Sequence, residues 1–249
     1  MIPSASDASM PLSLRKPPHT AHDRTLRRYG LAQGALVCLL FCTAALPVLA
    51  IPLSLGGLVS LHRAADTVVF PLWAVALPLM WRCTPVARAA RSGFLGGLVA
   101  VTAYDMLRLP VIRLSGWPDF IPRLGQWITG ADRPDAAVGY LWRYIGDGGG
   151  IGMAFSLFCL VAGVRRGLVP LGLAYGVFIW SGLICTLLLV PHAQLLLFRL
   201  TPATLAVSLA GHLVYGSTLG WCVRRFDGRY HFLTPRPDGH RAPAVSGRR

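Results

Sequence analysis

The chain has 249 residues, of which 54% are apolar and 14% charged, whereas about 25% of a soluble domain is charged. The net charge of +14 comes from 24 basic and 10 acidic residues; every acid is Asp, and Lys16 is the only Lys. The apolar content excludes a disordered chain. The basic residues lie between long apolar runs, a pattern typical of a polytopic membrane protein and not of a nucleic-acid-binding protein.

Six apolar segments predict six membrane-spanning helices, since about 20 apolar residues cross the hydrocarbon core of a bilayer. The spans are predicted at about 31–53, 66–81, 92–112, 140–164, 168–190 and 202–223. The second segment is short, and it contains Pro71 and Pro78. The fourth must begin near Tyr140–Tyr144 to be long enough, so it includes Asp147. The predicted fold class is therefore an all-α transmembrane helix bundle.

The polar segments define the domain organisation and the orientation. Residues 1–30 and 226–249 are predicted to be flexible basic tails, 31–82 a flanking pair of transmembrane helices, and 92–225 a four-helix transmembrane core. The tails and the loops on their side of the membrane hold 17 of the 24 basic residues, and the opposite loops hold five. This bias predicts that both termini are cytoplasmic and that the basic residues meet anionic lipid headgroups there.

Between the third and fourth predicted spans, Gly116–Ile128 has apolar residues at helical spacing and two Trp side chains. This pattern predicts either a short helix lying in the outer membrane interface or a loop with aromatic anchors.

The sequence contains no phosphate-binding loop, nucleophile elbow, HExxH motif or His cluster, so no catalytic residue is assigned. Cys38 and Cys42 share a helix face, but they are interpreted as small apolar residues on a helix surface. No metal site and no cofactor are predicted.

Ionisable residues within the predicted spans are candidates for function, because a charge at membrane depth costs roughly 2.5–3.5 kcal/mol without a partner or water. Asp105 continues a row of small residues at every fourth position, Gly93, Gly97 and Val101, and should therefore face another helix. Arg108, three residues further on, can reach Asp105 on the same helix.

In the fourth span, Arg143 and Asp147 are four residues apart and form a possible pair. Asp147 is followed by Gly148, Gly149 and Gly150, which predict a helix break or a very close helix contact. The Asp and Arg residues are interpreted either as internal salt bridges or as a ligand or proton pathway.

The sixth span has polar and small residues at every fourth position: Thr204, Ser208, His212, Gly216 and Gly220. The fifth span carries a matching GxxxG motif, Gly172 to Gly176. These rows predict that the last two helices pack together and direct His212 into the bundle. His212 would then form a hydrogen bond between helices or take part in proton or ligand handling.

The segment Gly211-His-Leu-Val-Tyr-Gly-Ser-Thr-Leu-Gly-Trp221 resembles the last helix of a family of small, uncharacterised, four-helix bacterial inner-membrane proteins. The segment Leu171–Trp180 with Leu189-Val-Pro191 is similar to their third helix, and Gly93–Asp105 to their glycine-rich first helix. The resemblance covers about 92–225. It implies the fold and the bacterial inner membrane but no catalytic role.

Three functions are consistent with these patterns. The first is a small transporter or channel that uses the Asp, Arg and His residues. The second is a scaffold or accessory subunit packing through its glycine rows, as a homo-oligomer or with a membrane partner. The third is a membrane enzyme or redox subunit, supported only by scattered His and Cys residues.

Overall fold

The computed structural model describes residues 21–230, with side chains from 30 to 226. Within that range every regular element is helical and no strand occurs, which confirms the all-α fold class. Most of the predicted tails, residues 1–20 and 231–249, lies outside the described residues.

The helices of the described range follow one another through short connections. They are α1 (Ala21–Leu55), α2 (61–79), α3 (Pro85–Ser115), α4 (Ile121–Thr129), α5 (Ala136–Val161), α6 (Leu168–Leu189), the single turn α7 (Ala193–Leu196) and α8 (Pro202–Tyr230). Two of them contain π-helical segments: Ala65–Val69 in α2 and Trp142–Gly150 in α5.

Four helices are long and apolar enough to cross a membrane: Gly30–Leu55 of α1, and the whole of α3, α5 and α6. This is compatible with a membrane protein. Helices α2 and α8, which contain the second and sixth predicted spans, are not among the four. Helix α8 has 29 residues, but the polar and small residues of its four-residue row lower its mean hydropathy.

Several boundaries differ from the sequence-based expectation. Helix α1 begins ten residues before the predicted span at 31. Helix α5 begins at Ala136 because the Asp135 side chain accepts a hydrogen bond from the Val138 amide at 3.0 Å and caps the helix. In the segment 116–128, the regular helix is confined to α4, which is followed by Gly130 with a φ of 68°.

The described residues from Leu36 onward form one compact unit in which α3, α5, α6 and α8 pack together. Between α3 and α5, Gly93 faces Gly152 and Gly97 faces Gly148, so closely that a Cβ on Gly93, Gly97 or Gly152 would overlap the opposite backbone, and one on Gly148 would overlap the side chain of Val101. Where two helix backbones are this close, only glycine fits.

The contact between α6 and α8 is built in the same way. Gly172 faces Gly216, Gly176 faces the backbone of His212, and Gly220 faces Leu168. The GxxxG motif of α6 and the four-residue row of α8 therefore meet within the chain.

Apolar clusters fill the space between the helices. Ala100, Phe155, Leu168 and Leu219 belong to a cluster of α3, α5, α6 and α8. A second cluster joins α1, α2, α3 and α5 around Leu40, Ala76, Ala90 and Leu157. A third, around Trp73, Leu124 and Trp142, attaches α4 to α2 and α5. Together these clusters hold α3 and α5 in fixed register, which positions the charged residues described next.

Candidate functional site

Asp105 of α3 lies at the centre of a buried charged cluster, with 3% of its side chain exposed. Arg143 of α5 donates to it through Nη2 at 2.7 Å and through Nε at 3.0 Å, both to Oδ1. Arg108 donates from Nε to the same oxygen at 3.1 Å, the same-helix contact that the three-residue spacing predicts. One carboxylate thus holds two guanidinium groups from two helices.

Arg108 extends the cluster to the loop before α4. Its Nη1 donates to Asp119 Oδ1 at 3.0 Å, and its Nη2 lies 3.3 Å from the hydroxyl of Tyr140. That hydroxyl in turn donates to Asp119 Oδ2 at 2.6 Å. The charged cluster, defined as Asp105, Arg108, Asp119 and Arg143, has two positive and two negative charges and is formally neutral.

Asp119 lies outside the predicted spans and is only half-buried. Burial raises the pKa of its carboxyl group, but hydrogen bonds from Tyr140 and Arg108 favour the ionised form more strongly. The net result is a pKa below the ordinary value of 3.8. Asp119 is therefore a carboxylate at neutral pH, and Arg108 remains paired.

Two aromatic rings connect the charged cluster to α8. The Arg143 guanidinium lies over the ring of Tyr104 at 4.8 Å, and Tyr104 meets the ring of His212 edge-on at 5.3 Å. Nδ1 of His212 lies 2.7 Å from the carbonyl oxygen of Ser208. Because a carbonyl only accepts, Nδ1 carries the hydrogen in this arrangement. His212 thus lies beside the cluster, with an aromatic ring between it and Arg143.

The expected contact between Arg143 and Asp147 does not form. The Arg143 guanidinium is engaged by Asp105, and Asp147 Oδ1 is buried without a hydrogen-bond partner. On a helix, an acid four residues before a base forms the better pair, and the reverse order is less favourable. Arg143 precedes Asp147, whereas Asp105 precedes Arg108, the favourable order.

A cavity of about 460 Å³ opens beside the charged cluster. Its wall combines α3, the loop before α4, α7 and the beginning of α8. Polar and charged side chains in the wall include Arg108, Asp119, Arg123, Arg199, Thr204 and Ser208. Of the five residues predicted for a ligand or proton pathway, Arg108 lines this cavity, whereas Asp105, Arg143, Asp147 and His212 lie behind its wall or away from it. Three guanidinium groups against one carboxylate favour an anion in the cavity.

Sequence reasoning missed Asp119, Tyr140 and Tyr104, which complete the cluster. A count of acids would have indicated Asp119, because the chain has only ten and most arginines near the spans need a partner. No sequence signal distinguishes Tyr104 or Tyr140 from the other tyrosines, since their roles depend on how helices meet.

In the described part of the chain, no group of three or more His, Cys or Asp side chains is arranged to hold a metal ion. Searches of protein-family models, curated proteins and solved structures find no match to this chain.

Proposed function

We propose that this chain is a six-span protein of the bacterial inner membrane, with both termini in the cytoplasm, that transports anions through its cavity. The observation that carries the proposal is the cavity itself, whose wall includes Arg108, a residue tied to a salt bridge buried between two predicted spans. A buried charged cluster next to an accessible cavity is typical of solute pathways in membranes.

The packing of α2 and α8 supports six spans. Helix α8 runs antiparallel to α6: Gly220 contacts Leu168 at one end of the contact, and His212 contacts Gly176 at the other. Helix α8 therefore lies along an apolar helix that would cross the membrane. Ala76 of α2 and Met80, directly after it, belong to one apolar cluster with Leu40 and Ala44 of α1. It has about 19 helical residues, or roughly 28 Å at 1.5 Å per residue, close to the thickness of the hydrocarbon core.

The orientation is supported by the arginines at the opposite end of the helices from the cavity. Arg91 lies over the ring of Trp81 at 5.2 Å, and 69% of that Trp is exposed. Arg and Trp side chains are enriched where a helix meets lipid headgroups. We assign this end to the cytoplasmic face with its anionic lipids, which places the cavity at the outer face.

The resemblance over 92–225 is part of the proposal. The helices in that range that pack through glycine contacts are α3, α5, α6 and α8, a four-helix unit against which α1 and α2 lie. This arrangement of helices is the one expected for a chain that joins the four-helix bundle of that family to two additional N-terminal helices.

The alternative of a scaffold is less well supported. The glycine rows that would bind a partner are occupied by helices of the same chain, at Gly93, Gly97, Gly172 and Gly216. A homo-oligomer or a membrane partner would have to use other surfaces. Nothing in the described residues favours the enzyme or redox alternative over transport.

Anion flux into proteoliposomes tests the proposal. Chloride, acetate, phosphate and decanesulfonate are supplied outside, and their uptake is compared with that of protein-free liposomes. We expect at least one anion to enter faster with the protein. Substituting Arg108→Gln should slow that flux about tenfold, the effect of losing a charged hydrogen-bond donor. The matched control is Arg133→Gln, an exposed arginine outside the cavity wall. Uptake of all four anions at the protein-free rate would overturn transport.

A further inference from the structure

We propose that the cavity binds an amphipathic anion, a molecule with one anionic head group on an apolar body. The inference rests on the proposed function for its membrane setting, but it concerns binding and not movement. The cavity would then be a binding site for lipid-like anions at the outer face of the membrane.

The head group is assigned to Arg123 and Arg199. The charged cluster is neutral in itself, because Arg108 is already matched by Asp105 and Asp119. In the described part of the chain, neither Arg123 nor Arg199 has a carboxylate within 4.0 Å. Arg123 donates from Nη1 to the carbonyl oxygen of Leu195 at 3.3 Å, which holds its guanidinium beside α7 in the wall. These two arginines therefore give the cavity an uncompensated positive charge.

The apolar body is assigned to the rest of the wall. Large apolar side chains make up much of it, among them Ile112, Trp117, Phe120, Leu196, Phe198 and Val207. They come from four different parts of the chain, so the apolar surface is shared among several segments and is not a single lipid-facing stripe. A small hydrated ion such as chloride would gain nothing from this surface, whereas an alkyl or aryl group would be removed from water.

The volume of the cavity agrees with such a ligand. A cavity of about 460 Å³ lies within the range of about 300–1,000 Å³ that is usual for small-molecule sites.

Binding of radiolabelled decanesulfonate tests the inference. The full chain is placed in nanodiscs of zwitterionic phosphatidylcholine, and binding is counted above that of empty nanodiscs. We expect saturable binding, and no saturable binding of decyltrimethylammonium, which has the same tail and the opposite charge. Arg199→Gln should weaken decanesulfonate binding about tenfold, because a charged hydrogen bond is lost. Arg199 is exposed, so this substitution leaves the fold intact; Arg133→Gln is the matched control.

A second comparison separates the two sources of such an anion. Decanesulfonate binding is measured again with the chain in nanodiscs that contain phosphatidylglycerol. If this anionic lipid lowers the binding by competition, the natural ligand is a membrane lipid; if the binding is unchanged, the natural ligand is a free amphiphile. Both results retain the inference. Equal binding of the cation and the anion, or unchanged affinity in Arg199→Gln and Arg123→Gln, would overturn it. Binding without flux would contradict transport only, and chloride flux without decanesulfonate binding would contradict the ligand class only.

Discussion

Asp105 shows what spacing along one helix can and cannot predict. Its contact with Arg108 follows from a three-residue separation with the acid first. Its contact with Arg143 crosses 38 positions of sequence and depends on how α3 and α5 meet. The row of small residues leading to Asp105 predicts that it faces another helix, but no pattern identifies that helix.

The ionised carboxylate of Asp119 makes the stability of the folded protein depend on pH. Its carboxyl pKa is lowered in the folded protein, so the ionised form stabilises the fold. That contribution is complete above the ordinary pKa of 3.8, and it is lost as the pH falls below 3.8 toward the folded-state value. Unfolding in detergent, followed by near-UV circular dichroism from pH 6 to pH 2.5, should show a smaller acid-induced loss of stability in Asp119→Asn. Asp132→Asn, at an exposed position, is the control and should follow the original chain. Identical pH profiles for all three would refute the role given to Asp119.

His192 adopts a backbone conformation that suits glycine better. Its φ is 63°, and it is the non-glycine residue with a positive φ in the described part of the chain. His192→Gly should therefore raise the free energy of unfolding by about 1 kcal/mol. Gly167 has a φ of 67°, and a Cβ there would meet the Pro170 side chain only at an ordinary contact distance of 3.7 Å, so Gly167→Ala should lower that free energy by a similar amount through the backbone alone. Denaturant unfolding of the two variants measures both changes, and a destabilised His192→Gly would show that the imidazole makes a needed contact.

At the scale of the element, the rows of glycines in the sequence predict which helices pack closely, but the residue pattern does not predict where a helix is π-helical. The rows in the fifth and sixth predicted spans indicate the contact between α6 and α8, since small residues mark close helix approach. The three glycines after Asp147 predict a helix break or a close contact; α5 continues through them as a π-helical segment, and Gly148 lies close against Gly97. The extent of the π-helical segment depends on backbone hydrogen bonding, which residue periodicity does not reveal.

The close contact between α6 and α8 should tolerate no added methyl group. A Cβ at Gly216 would overlap the carbonyl oxygen of Gly172, so the helices would have to separate. We expect Gly216→Ala to cost about 1–3 kcal/mol, the usual effect of overpacking. Gly182→Ala, in α6 with nothing within 4 Å, is the control and should be neutral or stabilising by up to about 1 kcal/mol. Unfolding in mixed detergent micelles measures both, and equal effects would mean that the contact adjusts freely.

At the scale of the whole molecule, the sequence predicts the membrane class more completely than the number of spans. Long apolar runs identify α1, α3, α5 and α6 directly. Helix α2 is short and α8 carries His212 with several glycines, so their assignment depends on the helices beside them. The cavity could not be predicted, because its wall joins four segments separated by as many as a hundred residues.

Cysteine labelling tests the six-span arrangement. Cys83 is exposed between α2 and α3, on the side assigned to the cytoplasm. In bacterial cells, a variant that retains only Cys83 should react with a membrane-impermeant maleimide only after permeabilisation. A variant whose only cysteine is introduced by Arg133→Cys should react in intact cells. The reverse pattern would invert the orientation, and labelling of both positions in intact cells would remove α3, the predicted span between them, from the spans.

The π-helical segment of α5 also determines where relatives of this chain could differ in length. In a π-helix each backbone hydrogen bond spans one residue more than in an α-helix. The segment 142–150 therefore contains more residues than an α-helical segment would need to make the same contacts with its neighbours. A deletion of one residue there would be absorbed by tightening the turns, and both Arg143 and Gly148 lie within the segment that would adjust. An alignment gap inside α5 would then mark a change of helix type and not the loss of a helix, and the partner of Asp105 should be sought one position away.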